Sequence, residues 1–259
     1  MKKILLSVLA LVSIVACTSE DADVSNTNFN YIPSTLTTTW KYDVTTGTNV
    51  NQDQLEVTTE NGNSFELTAS PVPASGFMSG VLSSGTLTKQ DGQLVINGVL
   101  GFNFPGVGDY TIDLTDAVIY DQNANSGSMI YETTGTFSQT IQGIDLDINY
   151  TVSNFQKADV ASVTVPLGTY NDVLNSELIV KLSITTEITI LGIAQTITLL
   201  APQDVIVVDN FWAREIGLIK SDNQLEYELA DFSGLGINLP LPQSANILTV
   251  QECTSAIIN

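Results

Sequence analysis

The residues of this chain that could do chemistry are carboxylates. Asp145 and Asp147 stand two apart, the spacing that puts both side chains on one face of a β-strand. Asp113 and Asp116 flank an expected turn. A pair of carboxylates can hydrolyse a glycoside. The partners of other common mechanisms are missing. The chain has no histidine, two cysteines (Cys17 and Cys253), and Arg214 as its sole arginine. That excludes a His-based triad, a zinc site built on His or several Cys, and an arginine cluster for phosphate. There is no P-loop or GxGxxG spacing, and no Asp-rich loop has EF-hand spacing. Asp145 and Asp147 read as a solvent-facing pair, and the chain as a non-enzyme with no cofactor and no metal.

Three large aromatics, Trp40, Phe211 and Trp212, are the candidate ligand-binding residues, because sugars and lipids both pack on exposed rings. The competing reading of the same rings is core packing.

The start of the chain is an address. Lys2 and Lys3 precede an apolar run, Ile4 to Val15, too short for a membrane span but suited to a signal peptide. It ends Ile14-Val15-Ala16-Cys17, which resembles a bacterial lipobox. That resemblance implies cleavage before Cys17 and lipidation of it, so that the protein is anchored to a membrane without spanning it. Residues 1–16 are then the signal peptide and 17–29 a lipidated, flexible tether. The acidic stretch after Cys17, Glu20-Asp21-Ala22-Asp23, resembles the surface-export signal of Bacteroidota lipoproteins. Outer membrane is the expected address, on its periplasmic or cell-surface face. With Cys17 lipidated, Cys253 has no disulfide partner.

Charge narrows the partners. Twenty-eight acidic residues against eight basic give a net charge of −20. Such a chain repels nucleic acid, whose binding rests on Lys and Arg neutralising phosphates. The expected partners are the membrane through the lipid anchor, and an apolar small molecule or an envelope protein.

The elements that position these residues read as strands throughout. Trp40, Tyr42 and Val44 share a face, and Asn61-Gly62 is a hairpin signal. Residues 69 to 84, with Pro71, Pro73, Gly76 and Gly80, read as a loop or edge. Ile144, Leu146, Ile148, Tyr150 and Val152 alternate with Asp145, Asp147, Asn149 and Thr151. The core stretch is Val163 to Lys220. In it Leu178, Val180, Leu182 and Ile184 face one way, and Val205-Ile206-Val207-Val208 reads as a central strand covered on both faces. A turn is expected at Ser221-Asp222-Asn223. No window after Cys17 sustains helical spacing with caps. Residues 30–259 are therefore expected to form a single all-β domain. Its strands, apolar on one face, must curl into a large curved antiparallel sheet or open half-barrel, or else pack as a two-sheet β-sandwich.

Two sets of short motifs carry a further resemblance. Tyr31-Ile32-Pro33 leading to Trp40-Lys41-Tyr42 is similar to the opening "Y-x-P…W-x-Y" strand of uncharacterised Bacteroidota outer-membrane lipoproteins. Val165-Pro166-Leu167-Gly168-Thr169-Tyr170, followed by Trp212 and Gly217-Leu218-Ile219-Lys220, resembles their "VPxGTY…W…GLxK" module. The resemblance implies a fold of the lipoprotein-carrier type, a curved antiparallel sheet with an apolar concave face. The leading expectation is a non-enzymatic outer-membrane lipoprotein that binds an apolar ligand or an envelope protein. The alternatives are a surface carbohydrate-binding β-sandwich, marked by an exposed Trp212, and a purely structural envelope protein.

Overall fold

The computed structural model describes residues 29–105, 108–190, 192–232 and 242–259. The leader, Cys17 and the tether up to residue 28 lie outside these.

The chain opens with a meander of β1 (Thr39–Thr46), β2 (Asn49–Asn61) and β3 (Ser64–Ser70). A short helix, α1 (Phe77–Leu82), leads to a second meander of β4 (Thr86–Gln90), β5 (Gln93–Phe104) and β6 (Gly108–Asp121). Then come β7 (Met129–Ile141), β8 (Ile144–Gln156), β9 (Val160–Val165), β10 (Gly168–Ile190), β11 (Ile193–Ala213), β12 (Gly217–Glu228) and β13 (Ser244–Ile257). They form one antiparallel sheet in the order β6-β5-β4-β3-β2-β1-β13-β12-β11-β10-β8-β7, with β9 pairing on β10. The last strand returns to pair with the first, Thr39 opposite Ile257 and Thr46 opposite Thr249. The two ends of the sheet, β6 and β7, are therefore neighbours in sequence, and the sheet curls into a nearly closed barrel. This is the curved single sheet that one-sided alternation demands, rather than a sandwich.

The alternation works as read in β8. Leu146, Ile148 and Val152 are buried, while Asp145, Asp147 and Asn149 face solvent. In β10 the buried set is Leu178, Val180, Leu182 and Ile184. The tight hairpins carry residues at positive φ: Asp91 and Gly92 between β4 and β5, Gln142 and Gly143 between β7 and β8. That backbone matches the twist of the flanking strands.

Four local expectations are corrected. Val205 and Ile206 are both buried, but not because layers cover both faces. Val180 pairs with Ile206 and Lys181 with Asp204, so Val205 is the extra residue of a β-bulge that turns neighbouring side chains to one face. The turn expected at Ser221–Asn223 lies instead at Arg214–Ile216, with Glu215 at φ 59°, and β12 runs straight through 221–223. Residues 110–114 and 117–121 are one strand, β6. Asp116, at φ 48°, sits in a kink held by Asn97, whose side chain both accepts from the Asp116 amide and donates to its carboxylate.

The fourth is α1, within the stretch read as a loop or edge. A six-residue helix is too short to hold itself. It forms because Met78, Val81 and Leu82 are enclosed by the sheet, each at most 1% exposed. Its entry is pinned by the buried Asp53, which accepts from the amides of Ser75 (2.9 Å) and Gly76 (2.7 Å). Gln251 on β13 donates to Ser79 Oγ (3.0 Å) and accepts from the Ser79 amide. A Cβ at position 76 would collide with the Gln251 carboxamide, which would have to shift to admit a side chain there.

Candidate functional site

The site arises from a short strand. β4 has five residues and pairs with β3 only through Ser64, Phe65 and Glu66. On its other side it pairs with β5 only as far as Asn97. Beyond those points, β3 from Leu67 to Ser70 and β5 from Gly98 to Phe104 have no strand between them. The segment carrying α1 fills part of the gap, and Ser84 Oγ accepts the amide of Val99 (2.9 Å) in place of a ladder bond. The rest is a cavity of about 740 Å³, within the range of small-molecule sites.

Its wall is apolar: Leu67 and Ala69 from β3, Phe77 from α1, Phe102 from β5, and Ile206 and Leu225 from the opposite side of the barrel. Asn103 and Asp109 stand at its mouth, the Asn103 amide donating to Asp109 Oδ1 (2.8 Å). Asp109 is the sole charged residue among the described residues that line it. Tyr110 also lines the cavity, its ring packed against Phe102 and Phe137 at 5.6 and 4.7 Å between centroids. Burial pushes its hydroxyl up to about 12, so it stays protonated. Neither that hydroxyl nor Asn223 Oδ1, on another lining residue, has a hydrogen-bond partner.

The sequence-predicted ligand residues are elsewhere. Trp40 is 2% exposed and donates its indole N–H to the Ile216 carbonyl. Trp212 is 0% exposed, with its ring on Tyr120 at 5.1 Å. Phe211 lies on the outer wall, in a second small core, with Lys220 Nζ 5.7 Å from its ring centre. The three share no surface, and none is among the described residues lining the cavity. An exposed aromatic platform at these positions is therefore corrected: the indoles fill the core, and Phe211 packs under a hairpin.

What the structure does bring together is the motif residues. Tyr31 Oη accepts from Arg214 Nε (3.2 Å), Trp40 bonds Ile216, and Tyr42 Oη donates to the Leu218 carbonyl (3.0 Å). The opening segment thus clasps the turn into β12. The β9–β10 hairpin, with Pro166-Leu167 at its tip, folds across the outer wall. Val165 and Val173 pack on Ala213 and Ile219, and the Leu167 amide reaches the Cys253 carbonyl (3.0 Å). These motifs are structural fasteners.

The carboxylate pair is also placed. Asp145 and Asp147 are exposed on the outer wall, accepting from Thr140 and Ser138 of β7. Among the described residues no cluster of three His, Cys, Asp or Glu could hold a metal. The cavity residues Phe77, Phe102, Tyr110 and Asn223 escaped sequence reasoning. Their one signal was the Pro- and Gly-rich stretch from 69 to 84, where the meander is interrupted.

No family model and no curated protein matches the chain. Among solved structures it is similar to a putative lipoprotein from Parabacteroides distasonis, with 11% identity over 88% of this chain and 99% of that one, at a TM-score of 0.36.

Proposed function

We propose that the protein is a non-enzymatic lipoprotein, anchored to the outer membrane through Cys17, that holds an apolar ligand in the cavity between β3 and β5. The observation that carries this is the cavity itself, about 740 Å³ walled by Leu67, Ala69, Phe77, Phe102, Ile206 and Leu225. Apolar groups left facing an opening gain free energy from an apolar occupant. The anchor rests on the sequence, Ile14-Val15-Ala16-Cys17 after a signal-peptide core.

The placement of the chain start agrees with this reading. Phe29 bonds Gln122 beside the turn after β6, and Tyr31 bonds Arg214 beside the turn before β12. Both turns lie at one end of the barrel. The cavity mouth, at residues 71–76, Asn103 and Asp109, lies at the other. A tether leaving from Phe29 therefore points the mouth away from the anchored end. Binding rather than turnover fits the carboxylates, with Asp145 and Asp147 on the outer wall and Asp53 engaged by backbone amides. The glycan reading loses the exposed Trp212 it depended on.

Strands β1 to β13 all lie between residues 39 and 257, so residues 29–259 are the unit to test. Gentle purification, native mass spectrometry and organic extraction of that domain are expected to yield a co-purifying apolar molecule. A clean apo mass, together with failure to take up an added apolar fluorophore, overturns the ligand reading and leaves the envelope-protein partner.

A further inference from the structure

We infer that the cavity selects an uncharged aliphatic or isoprenoid chain and rejects fatty acids and phospholipids. The inference rests on the apolar-ligand reading above and specifies its ligand class.

The first argument is charge. No Lys or Arg is among the described residues that line the cavity. Past Lys2 and Lys3 the chain has six basic residues, and none serves it. Lys157, Lys181 and Lys220 pair with Glu177, Asp204 and Asp222. Lys89 and Arg214 bond the segment Asn30–Ile32 at the far end of the barrel, and Lys41 is exposed on β1. An anionic headgroup entering the cavity would pass Asp109 at the mouth, in a chain of net charge −20, and find no counter-ion inside. An unpaired buried charge is strongly disfavoured. A cation fares no better, because Asp109 is exposed at the rim and the buried Asp53 is engaged with Ser75 and Gly76.

The second argument is hydrogen bonding. Several polar groups of the lining already have partners. Ser83 Oγ donates to the Ser79 carbonyl, Ser84 Oγ bonds Val81 and Val99, Thr249 bonds Thr46, and Asn103 bonds Asp109. Two lining residues keep a buried polar atom without one, Asn223 Oδ1 and Tyr110 Oη. The amide oxygen can only accept, and the phenol can donate or accept. Both are closed off from solvent, so the wall offers a ligand no free donor or acceptor at these positions. Neither can stand in for the cation a carboxylate or phosphate would need.

The test uses the domain of residues 29–259 loaded with the neutral fluorophore N-phenylnaphthylamine, displaced by dodecanol or by dodecanoate at neutral pH. Dodecanol is expected to displace it at a concentration about tenfold lower than dodecanoate. Asp109→Lys is expected to narrow the gap between the two probes. Gly80→Leu assigns the site: a Cβ there meets nothing within 4 Å, and the longer side chain is expected to fill the cavity and abolish binding of every probe, with an unchanged far-UV circular dichroism spectrum as the control for folding. Dodecanoate binding as well as dodecanol overturns this inference and leaves the ligand cavity standing. Failure of the fluorophore and both probes to bind overturns the inference and the ligand reading together.

Discussion

The indole of Trp40 lies so close to the backbone of Gly217 that a Cβ at 217 would stand 3.0 Å from Trp40 Nε1. Gly217 also holds φ at 114°, a conformation that side chains resist. The contact locks the first strand to the turn into β12, with the Trp40–Ile216 hydrogen bond beside it. Gly217→Ala is therefore expected to lower stability by about 2 kcal/mol, from backbone strain and displacement of the ring. Urea unfolding of the domain should show the midpoint falling with an unchanged slope.

The open seam of the barrel is bridged by two side chains. Asn154 on β8 donates its amide to the carbonyls of Val118 and Ile119 on β6, both at 2.7 Å. Gln156 accepts the amide of Asp121 at 3.0 Å. Asn154→Leu keeps the volume but leaves two carbonyls without a donor, and is expected to cost about 2 kcal/mol. Hydrogen exchange should quicken at Asp121 and along the facing part of β7. Asn149→Leu on the exposed face of the same strand is the control, expected to stay within about 0.5 kcal/mol.

These fasteners mark the limit of what the sequence could reveal. Alternation in residues 144–152 and 178–184 was enough for the strands, because period-two burial is a local property. Asn61-Gly62 was enough for the hairpin between β2 and β3, because that turn needs the positive φ that Gly62 supplies. Asn154 and Gln156 carry no local signal, since what they do depends on β6, some 35 residues away in the chain. The kink at Asp116 and the bulge at Val205 were illegible for a similar reason: an extra residue in a strand has meaning only against its partner's register. The cavity escaped because it comes from β4 being short, which no residue announces. Trp40 and Trp212 were read partly as platforms because a ring's type does not say which side of a wall it faces.

Asp53 is the anchor of the segment that borders the cavity. Its carboxylate, 2% exposed, takes the amides of Ser75 and Gly76 just before α1. Asp53→Asn replaces one acceptor oxygen with a donor facing a donor, and is expected to cost about 2 kcal/mol. Exchange of the Ser75, Gly76 and Ser79 amides should quicken well beyond that of β10 and β11. Equal change everywhere would mean that Asp53 supports the barrel as a whole rather than this segment.

Cys253 gives a pH prediction. It is 0% exposed and free, and burial pushes its thiol from an ordinary 9.0 up to about 12. In the domain of residues 29–259 it is the sole cysteine. A thiol reagent should leave the folded domain untouched and label it fully in denaturant. Between pH 9.0 and about 12 the unfolded chain releases a proton that the folded chain keeps. The thiol's contribution is thus complete below 9.0 and is lost as pH rises toward about 12. Tyr110, raised from 10.0 to about 12, adds to the loss from a higher starting point. Stability measured by urea unfolding should fall as pH climbs above 9.0. Cys253→Ala should flatten the first part of that fall, before the tyrosines of the unfolded chain ionise, and leave the later part in place. Identical slopes in the two proteins would show that the thiol is not held protonated by the fold.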